Sequence, residues 1–428
     1  MRYLDHAATT PVRPEVLEAM LPFLTDRFGN PSSHHTVGEA AAAALDDARR
    51  RVARIVGMRP GDIVFTSGGT EADNLAIKGL AIGAAQHRGA PVHVITTTIE
   101  HEAVLASCDY LECVHGFAVT RVGVDADGRV DPADIAAALR PDTALVSVGY
   151  ANNEIGTVQD AAAIAAVTAA RRVPLHLDAV QAAGWLPLAG TGADALSIAG
   201  HKVGAPQGIG ALAIRGRVPL EPVLHGGGQE RERRSGTENV AGAVGLAVAL
   251  ELAEADRTAD TARIVALRDT FIAATLAAVP EARLTGHATR RLAGTASFTF
   301  AGVSGEAVLL ELERRGVVSS SGSACAAGSD EASHVLVALG ISAEVAQTAV
   351  RFTFGHGASF DAMQLARAVA AQIVPGEREA PHILGGNLEV LGREVGGRRD
   401  HRQLQLHQAQ HYDGLGLVQT TQSTHRIG

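Results

Sequence analysis

The stretch LHLDAVQAAGWLPLAGTGADALSIAGHK, residues 175–202, contains two short apolar segments, each followed by a polar side chain. Segments 175–177 and 195–198 have the length and composition of buried strands. Asp178 directly follows the first segment, and Lys202 comes shortly after the second. Because ligands bind beyond the carboxyl ends of strands in an open parallel sheet, we expect both side chains to face one crevice. A strand-end salt bridge or cap would use the same residues, so this pair alone leaves the function open.

Further predicted strands alternate with Ala-rich helices on the N-terminal side of this stretch. The strands lie at residues 63–66, 92–96 and 144–148, and the helices at residues 75–86 and 161–170. This alternation is typical of an α/β fold, in which helices cover both faces of a large, mostly parallel sheet. We therefore predict a large domain at residues 13–262.

A smaller α/β domain is predicted at residues 263–375, together with residues 1–12. Its predicted segments are helices at 261–278 and 306–314, a strand at 296–300, and two further segments at 335–339 and 360–373. Residues 376–428 contain Gly-Gly pairs, a cluster of Gln and His, and no sustained periodicity. This composition predicts a disordered tail.

The overall composition excludes several classes of protein. The chain has 428 residues, a formal net charge of −9 and three cysteines. The charge predicts no direct binding of nucleic acid, and three cysteines in a chain of this length predict no disulfide framework. The N-terminus is polar from the start, and the longest apolar run, residues 240–250, is about half of a membrane span. We expect a cytoplasmic protein with no membrane segment.

A glycine-rich turn at residues 65–74, FTSGGTEADN, links a predicted strand to a predicted helix. Free backbone N–H groups and the helix dipole converge at such a turn, and the Thr70 hydroxyl adds a donor beside Gly69. The turn therefore predicts a site for an anion the size of phosphate. Turns of this kind are common, and this one has neither P-loop nor dinucleotide-binding spacing.

Asp178 and Lys202 have the chemistry that a pyridoxal phosphate (PLP) site needs. A carboxylate keeps a pyridine nitrogen protonated, and a partly desolvated lysine forms a Schiff base with the PLP aldehyde. His101 follows another predicted strand and could stack on the cofactor ring and move protons, although a lone histidine is usually structural. We expect PLP as cofactor and no metal site.

Cys325 lies in the run SSSGSACAAGS, residues 319–329, whose small and polar side chains cannot bury a core. A reachable thiol on such a loop is a candidate nucleophile. Cys108 and Cys113 fall in an ordinary helical stretch, and we interpret them as structural.

Across residues 1–375 the chain resembles the cysteine desulfurases, a group of PLP-dependent class-V aminotransferase-like enzymes. The resemblance rests on many separated runs in the family's order: YLDHAATTP at 3–11, TSGGTEADN at 66–74, Glu100–His101, NNEIG at 152–156, Asp178, Gln181, GHK at 200–202, RSGT at 234–237, SSGSAC at 320–325 and Arg351–Phe352. It implies an aspartate-aminotransferase-like (fold type I) structure and a homodimer with sites at the subunit interface.

The resemblance also implies a role for each matching residue. Lys202 would be the Schiff-base lysine, Asp178 the partner of the ring nitrogen, and His101 the stacking and acid–base group. Gln181 and Asn153 would contact the ring hydroxyl and the substrate, and Arg351 would pair with the substrate carboxylate. The phosphate would be held by Gly69, Thr70 and His201 of one subunit and by Thr237 of the other.

The activity implied is conversion of L-cysteine to L-alanine, with sulfur held as a persulfide on Cys325. Sulfur-acceptor proteins would then receive it for iron–sulfur cluster assembly or tRNA thiolation. Ala199 departs from the family, which usually has a phosphate-binding Ser there, so one donor to the cofactor is lost. A selenocysteine lyase or another small-amino-acid PLP enzyme of the same fold is the alternative, and the Cys325 loop is the feature that argues against a transaminase.

Overall fold

The computed structural model describes residues 1–322 and 332–373. Cys325 and the tail predicted at residues 376–428 lie outside the described residues.

The described elements agree closely with the strands predicted from the sequence. The five strands predicted between residues 63 and 198 are all present, with ends that differ by no more than one residue. In chain order the strands are β1 (Arg2–Tyr3), β2 (Ile63–Thr66), β3 (His93–Thr97), β4 (Ala118–Val122), β5 (Thr143–Gly149), β6 (Leu175–Asp178), β7 (Ala195–Ala199), β8 (Gly210–Ile214), β9 (Ala282–Leu284), β10 (Thr295–Phe300), β11 (Val317–Val318) and β12 (Val350–Thr353). The α-helices are α1 (Pro14–Leu24), α2 (Thr36–Val56), α3 (Gly69–Arg88), α4 (Glu102–His115), α5 (Pro132–Ala138), α6 (Ala161–Ala170), α7 (Val240–Ala278), α8 (Gly305–Arg314), α9 (His334–Ala338), α10 (Ala343–Ala346) and α11 (Ala362–Ile373).

A seven-stranded sheet in the order β2-β8-β7-β6-β5-β3-β4 forms the centre of the larger part. Strands β3, β4, β5, β6 and β7 pair in parallel. Strand β8 pairs antiparallel with both β7 and β2, so it alone runs against the other six. The predicted α/β fold with a large, mostly parallel sheet is therefore confirmed. The register places Asp178 beside Gly149 and Ser197, so the end of β6 lies between two other strand ends.

Helices cover both faces of this sheet. One apolar cluster packs α1, α2 and α6 against it, and a second packs α3 and α4. Every residue of β2, β7 and β8 is buried. Burial on both faces explains why these strands read as continuous apolar runs rather than alternating ones.

The smaller part is built on the antiparallel sheet β12-β10-β9, which packs with α8, α11 and the C-terminal half of α7. Phe271 meets Phe298 and Phe352 edge-to-face, with ring centroids 5.8 and 5.1 Å apart. β1 pairs in parallel with β11, and Asp5 bridges to Thr353. The chain therefore begins against this part.

Helix α7 differs from the sequence-based expectation. The helix predicted at residues 261–278 begins at Val240 and runs unbroken to Ala278, through the predicted domain boundary at residue 262. Its middle is rich in Ala, Glu and Arg and contains no Gly or Pro after Gly245, so nothing in its intrinsic preferences interrupts it. The change from apolar to polar composition marks a change of environment along one helix. The domain boundaries themselves stay a prediction.

Within residues 1–322 and 332–373, no helix combines the length and the apolar character that crossing a membrane requires.

Candidate active site

A cavity of about 750 Å³ opens at the carboxyl ends of the parallel strands. This volume lies in the usual range for small-molecule sites. The predicted site residues that line it are Gly69, Thr70, His101, Asn153, Asp178, Gln181, Ala199, His201, Lys202 and Arg351. Thr237 does not line the cavity of its own chain and is exposed in the segment before α7, and Cys325 lies outside the described residues.

One end of the cavity is the start of α3. A side chain on Gly69 is excluded, because its Cβ would lie 2.7 Å from Cγ2 of Val180. Glu71 accepts a hydrogen bond from the Ser67 N–H at 2.7 Å and forms an ion pair with Arg234 at 2.8 Å, which ties the turn in place. A helix of this length presents a positive dipole end and free N–H groups. This end of the cavity suits an anion.

Lys202 and His201 enter the cavity from a short 3₁₀ turn directly after β7. The Lys202 Nζ donates to the carbonyl oxygens of Ala7 and Ala8, the latter at 2.7 Å. Burial, with a smaller contribution from the nearby Lys202 charge, lowers the pKa of His201 to about 4. His201 is therefore neutral near pH 7 and acts as a hydrogen-bonding group, not as a cation.

Asp178 lies at the end of β6, and its Oδ1 accepts the Val180 N–H at 2.9 Å. Burial raises the pKa of Asp178, whereas this N–H and the nearby His101 and Lys202 act to lower it. The negative charge on this carboxylate thus depends on donors and positive groups in the cavity. A ligand with a cationic ring nitrogen would stabilise it further.

A polar ladder lies within the sheet directly below Asp178. The Ser147 Oγ and His176 Nδ1 are 2.9 Å apart, and the His176 Nε2 and Ser197 Oγ are also 2.9 Å apart. Burial lowers the pKa of His176 to about 3, so the imidazole is neutral and uses one nitrogen as donor and the other as acceptor. The ladder ties β5, β6 and β7 together just before their ends.

Of the five acids that line the cavity, sequence reasoning assigned a role only to Asp178 and missed the others, of which Asp73 and Glu100 are the most deeply buried. They are 2% and 3% exposed, and within the described part of the chain Oδ1 of Asp73 and Oε2 of Glu100 have no hydrogen-bond partner. Burial raises the pKa of Glu100 to about 8 and that of Asp73 well above its usual range, and the Asp178 charge adds to both effects. Glu100 is therefore mainly protonated near pH 7. Asp73 lies in the run at residues 66–74 and Glu100 directly precedes His101, but only their burial distinguishes them from surface acids.

His101 has a structural role that the sequence did not reveal, because it caps the N-terminus of α4. Its Nδ1 accepts the Ala103 N–H at 3.0 Å. In the neutral imidazole this contact places the proton on Nε2. The ring is therefore held in one tautomer by the helix that follows it.

Arg351 lies on β12, and its side chain is only 2% exposed. Its guanidinium pairs with Asp5 at 2.7 Å and donates to the Asn153 carbonyl at 2.8 Å. Gln181 donates to the Ala7 carbonyl at 3.0 Å, and Ala199 presents only a methyl group. The N-terminal segment thus contacts several predicted site residues directly.

Among the residues that the structure covers, no cluster of three or more His, Cys, Asp or Glu side chains is arranged to hold a metal ion.

The chain matches a family model described as Aminotransferase class-V over residues 2–364. Among curated proteins it is 45% identical to the cysteine desulfurase IscS of Dictyoglomus turgidum over 355 residues, which are 82% of this chain and 89% of that protein. It is 44% identical to the IscS-like cysteine desulfurase of Mycobacterium tuberculosis over 361 residues, 83% of this chain and 92% of the relative.

Solved structures with the same fold include a NifS-like protein, with a TM-score of 0.79 and 33% identity over 86% of this chain and 98% of the other. A structure described as SspA in complex with cysteine has a TM-score of 0.72 and 37% identity, and the match covers 83% of this chain and 99% of the other. Both matches extend over almost the whole of the solved chains.

Proposed function

The chain belongs to the class-V aminotransferases and, within them, to the cysteine desulfurases, and from this premise we propose that its cavity binds PLP and converts L-cysteine to L-alanine. The observation that carries the proposal is the arrangement of Asp178 and Lys202 at neighbouring strand ends, beside an anion-binding helix start. Cysteine is the bound molecule named for the related SspA structure.

The donor set of the cavity fits PLP. The start of α3 with Thr70, together with neutral His201, suits the phosphate. Ala199 contributes no hydroxyl, so the phosphate depends on those other donors. Asp178 faces the ring nitrogen in this assignment. The chain contains two lysines, Lys78 and Lys202, and only Lys202 lines the cavity.

PLP, when bound, supplies an electron sink that weakens bonds next to the substrate amine. The protein side chains bind and orient the substrate and transfer its proton and sulfur. Arg351 binds the substrate carboxylate, with the Asn153 side chain beside it, and Gln181 contacts the ring hydroxyl. His101 moves a proton at Nε2, because Nδ1 is occupied by the helix cap. The Cys325 thiolate takes the substrate sulfur: the C–S bond breaks, an S–S bond forms, and the carbon takes up the proton that Cys325 gives up. L-cysteine and the thiol thus become L-alanine and a persulfide.

The activity can be tested with purified protein loaded with PLP and supplied with L-cysteine and a thiol reductant. We expect alanine and sulfide in equal amounts, because each turnover breaks one C–S bond and the reductant releases the persulfide sulfur. A protein that instead transferred the amino group of L-alanine to a 2-oxo acid at a comparable rate would be an aminotransferase, which contradicts the proposal.

Replacing His101 separates its two roles. His101→Asn keeps an oxygen that can cap α4 but removes the imidazole, so alanine release should fall about 10²-fold or more while stability changes little. His101→Ala should lose the same activity and, in addition, about 1 kcal/mol of stability from the missing cap. Turnover and urea unfolding measure the two effects. If His101→Asn released alanine at the wild-type rate, His101 would have no part in proton transfer.

We also propose a homodimer in which the exposed Thr237 reaches the phosphate site of the partner. The side of α1 that carries Leu17, Leu21 and Leu24 supports a protein contact, because these apolar side chains are 54–59% exposed at helical spacing. Transfer of the persulfide sulfur to an acceptor for iron–sulfur assembly or tRNA thiolation belongs to the same proposal.

A further inference from the structure

The N-terminal run at residues 3–11 has no role in the function proposed above, yet its Ala7 and Ala8 line the cavity. We propose that Asp5 is a positioning residue that holds the Arg351 guanidinium in the orientation that binds the substrate carboxylate. This inference rests on the proposed function, because it assumes that Arg351 is the carboxylate anchor.

The contact between the two side chains is direct and shielded from water. The Arg351 Nη2 lies 2.7 Å from the Asp5 Oδ1, and the two side chains are 2% and 16% exposed. An arginine in a protein stays charged, and burying that charge without a partner is costly. Among the described residues, Asp5 is the acid that forms an ion pair with this guanidinium.

The backbone of Asp5 is itself held on several sides. It forms a parallel bridge with Thr353, two residues after Arg351 on the same strand. Its carbonyl oxygen accepts hydrogen bonds from the Tyr3 hydroxyl and the Ala8 N–H, both at 3.0 Å. The carboxylate therefore starts from a fixed point, as a positioning group requires.

The hydrogen bonds of Arg351 leave a suitable pair of donors. A guanidinium has five N–H groups. Nη1 donates to the carbonyls of Asn153 and Gly322 at 2.8 and 3.0 Å, and Nη2 donates once to Asp5. Nε has no partner within the described ranges. The two N–H groups left over belong to neighbouring nitrogens, Nε and Nη2, which is the arrangement that binds a carboxylate with two hydrogen bonds.

The test compares two amines that differ in the group Arg351 binds. L-alanine has a carboxylate and ethylamine has none, and both can be titrated through the absorbance of protein-bound PLP. In Asp5→Asn we expect the apparent Kd for L-alanine to rise about tenfold or more, since the neutral amide holds the guanidinium less strongly than the carboxylate does and the guanidinium can rotate. The Kd for ethylamine should stay within about twofold of the wild-type value, because the free energy of binding should change by only a few tenths of a kcal/mol.

Two further variants complete the design. Asp5→Glu keeps the charge but moves it by one methylene, so its apparent Kd for L-alanine should lie between those of the wild type and Asp5→Asn. This variant serves as the test if Asp5→Asn does not fold. Asp256→Asn removes the acid of another part-buried arginine pair, Arg13–Asp256 at 2.6 Å, and should leave both amines unaffected.

The outcomes are distinguishable. Equal weakening of both amines, or no change for L-alanine, in the Asp5 variants overturns the positioning role while Arg351 keeps its assignment. A wild-type protein that binds ethylamine as tightly as L-alanine overturns the anchor role of Arg351, and this inference falls with it.

Discussion

Replacing Cys325 with serine should lower alanine release from L-cysteine by about 10³-fold or more, because the hydroxyl cannot replace the thiolate as nucleophile. The variant should still bind PLP and still change its absorbance when L-cysteine is added. Mass spectrometry of the wild-type protein after addition of L-cysteine should find added sulfur on the peptide that contains Cys325, and the variant should show none.

The other two cysteines provide controls. Cys113 is exposed on α4, so Cys113→Ser should leave turnover unchanged. Burial raises the pKa of the Cys108 thiol to about 12, so it cannot supply a thiolate near neutral pH. If Cys325→Ser made alanine at the wild-type rate, Cys325 would not be the nucleophile, and the enzyme would be a lyase that releases sulfide directly.

Replacing Lys202 with alanine should abolish covalent attachment of PLP and lower turnover by about 10³-fold or more. The reason is that no other lysine lines the cavity to take its place. Borohydride reduction of the wild-type protein followed by peptide mass analysis should find the cofactor on the peptide that contains Lys202.

Lys78 is the matched control, because it is the other lysine of the chain and lies over the ring of Tyr110 at 4.4 Å. Lys78→Arg keeps the charge above this ring and should retain both the cofactor and turnover. Cofactor fixed to Lys78, or full activity in Lys202→Ala, would contradict the assignment.

The prediction of helix 261–278 shows where local reasoning fails. The apolar residues 240–250 and the polar residues that follow indicate two different environments. Both environments are present, but the single helix α7 runs through both. Helix propensity is set by local sequence, whereas the position at which a helix passes from one apolar cluster to another depends on what packs around it. The sequence pattern therefore located the end of α7 and not its start.

The sequence by itself determined the alternating strands, the turn at Gly69 and Thr70, and the placement of Asp178 and Lys202 at strand ends. These features depend on residues close together in the chain, and the common direction of strands in a parallel sheet brings their carboxyl ends to one edge. Only the tertiary structure decided which acids are buried and which acid pairs with Arg351. Burial of Asp73 and Glu100 depends on all the atoms that surround them, and Asp5 meets Arg351 across 346 residues of chain. Desolvation and long-range pairing are properties of the packed fold, so no local pattern of residues contains them.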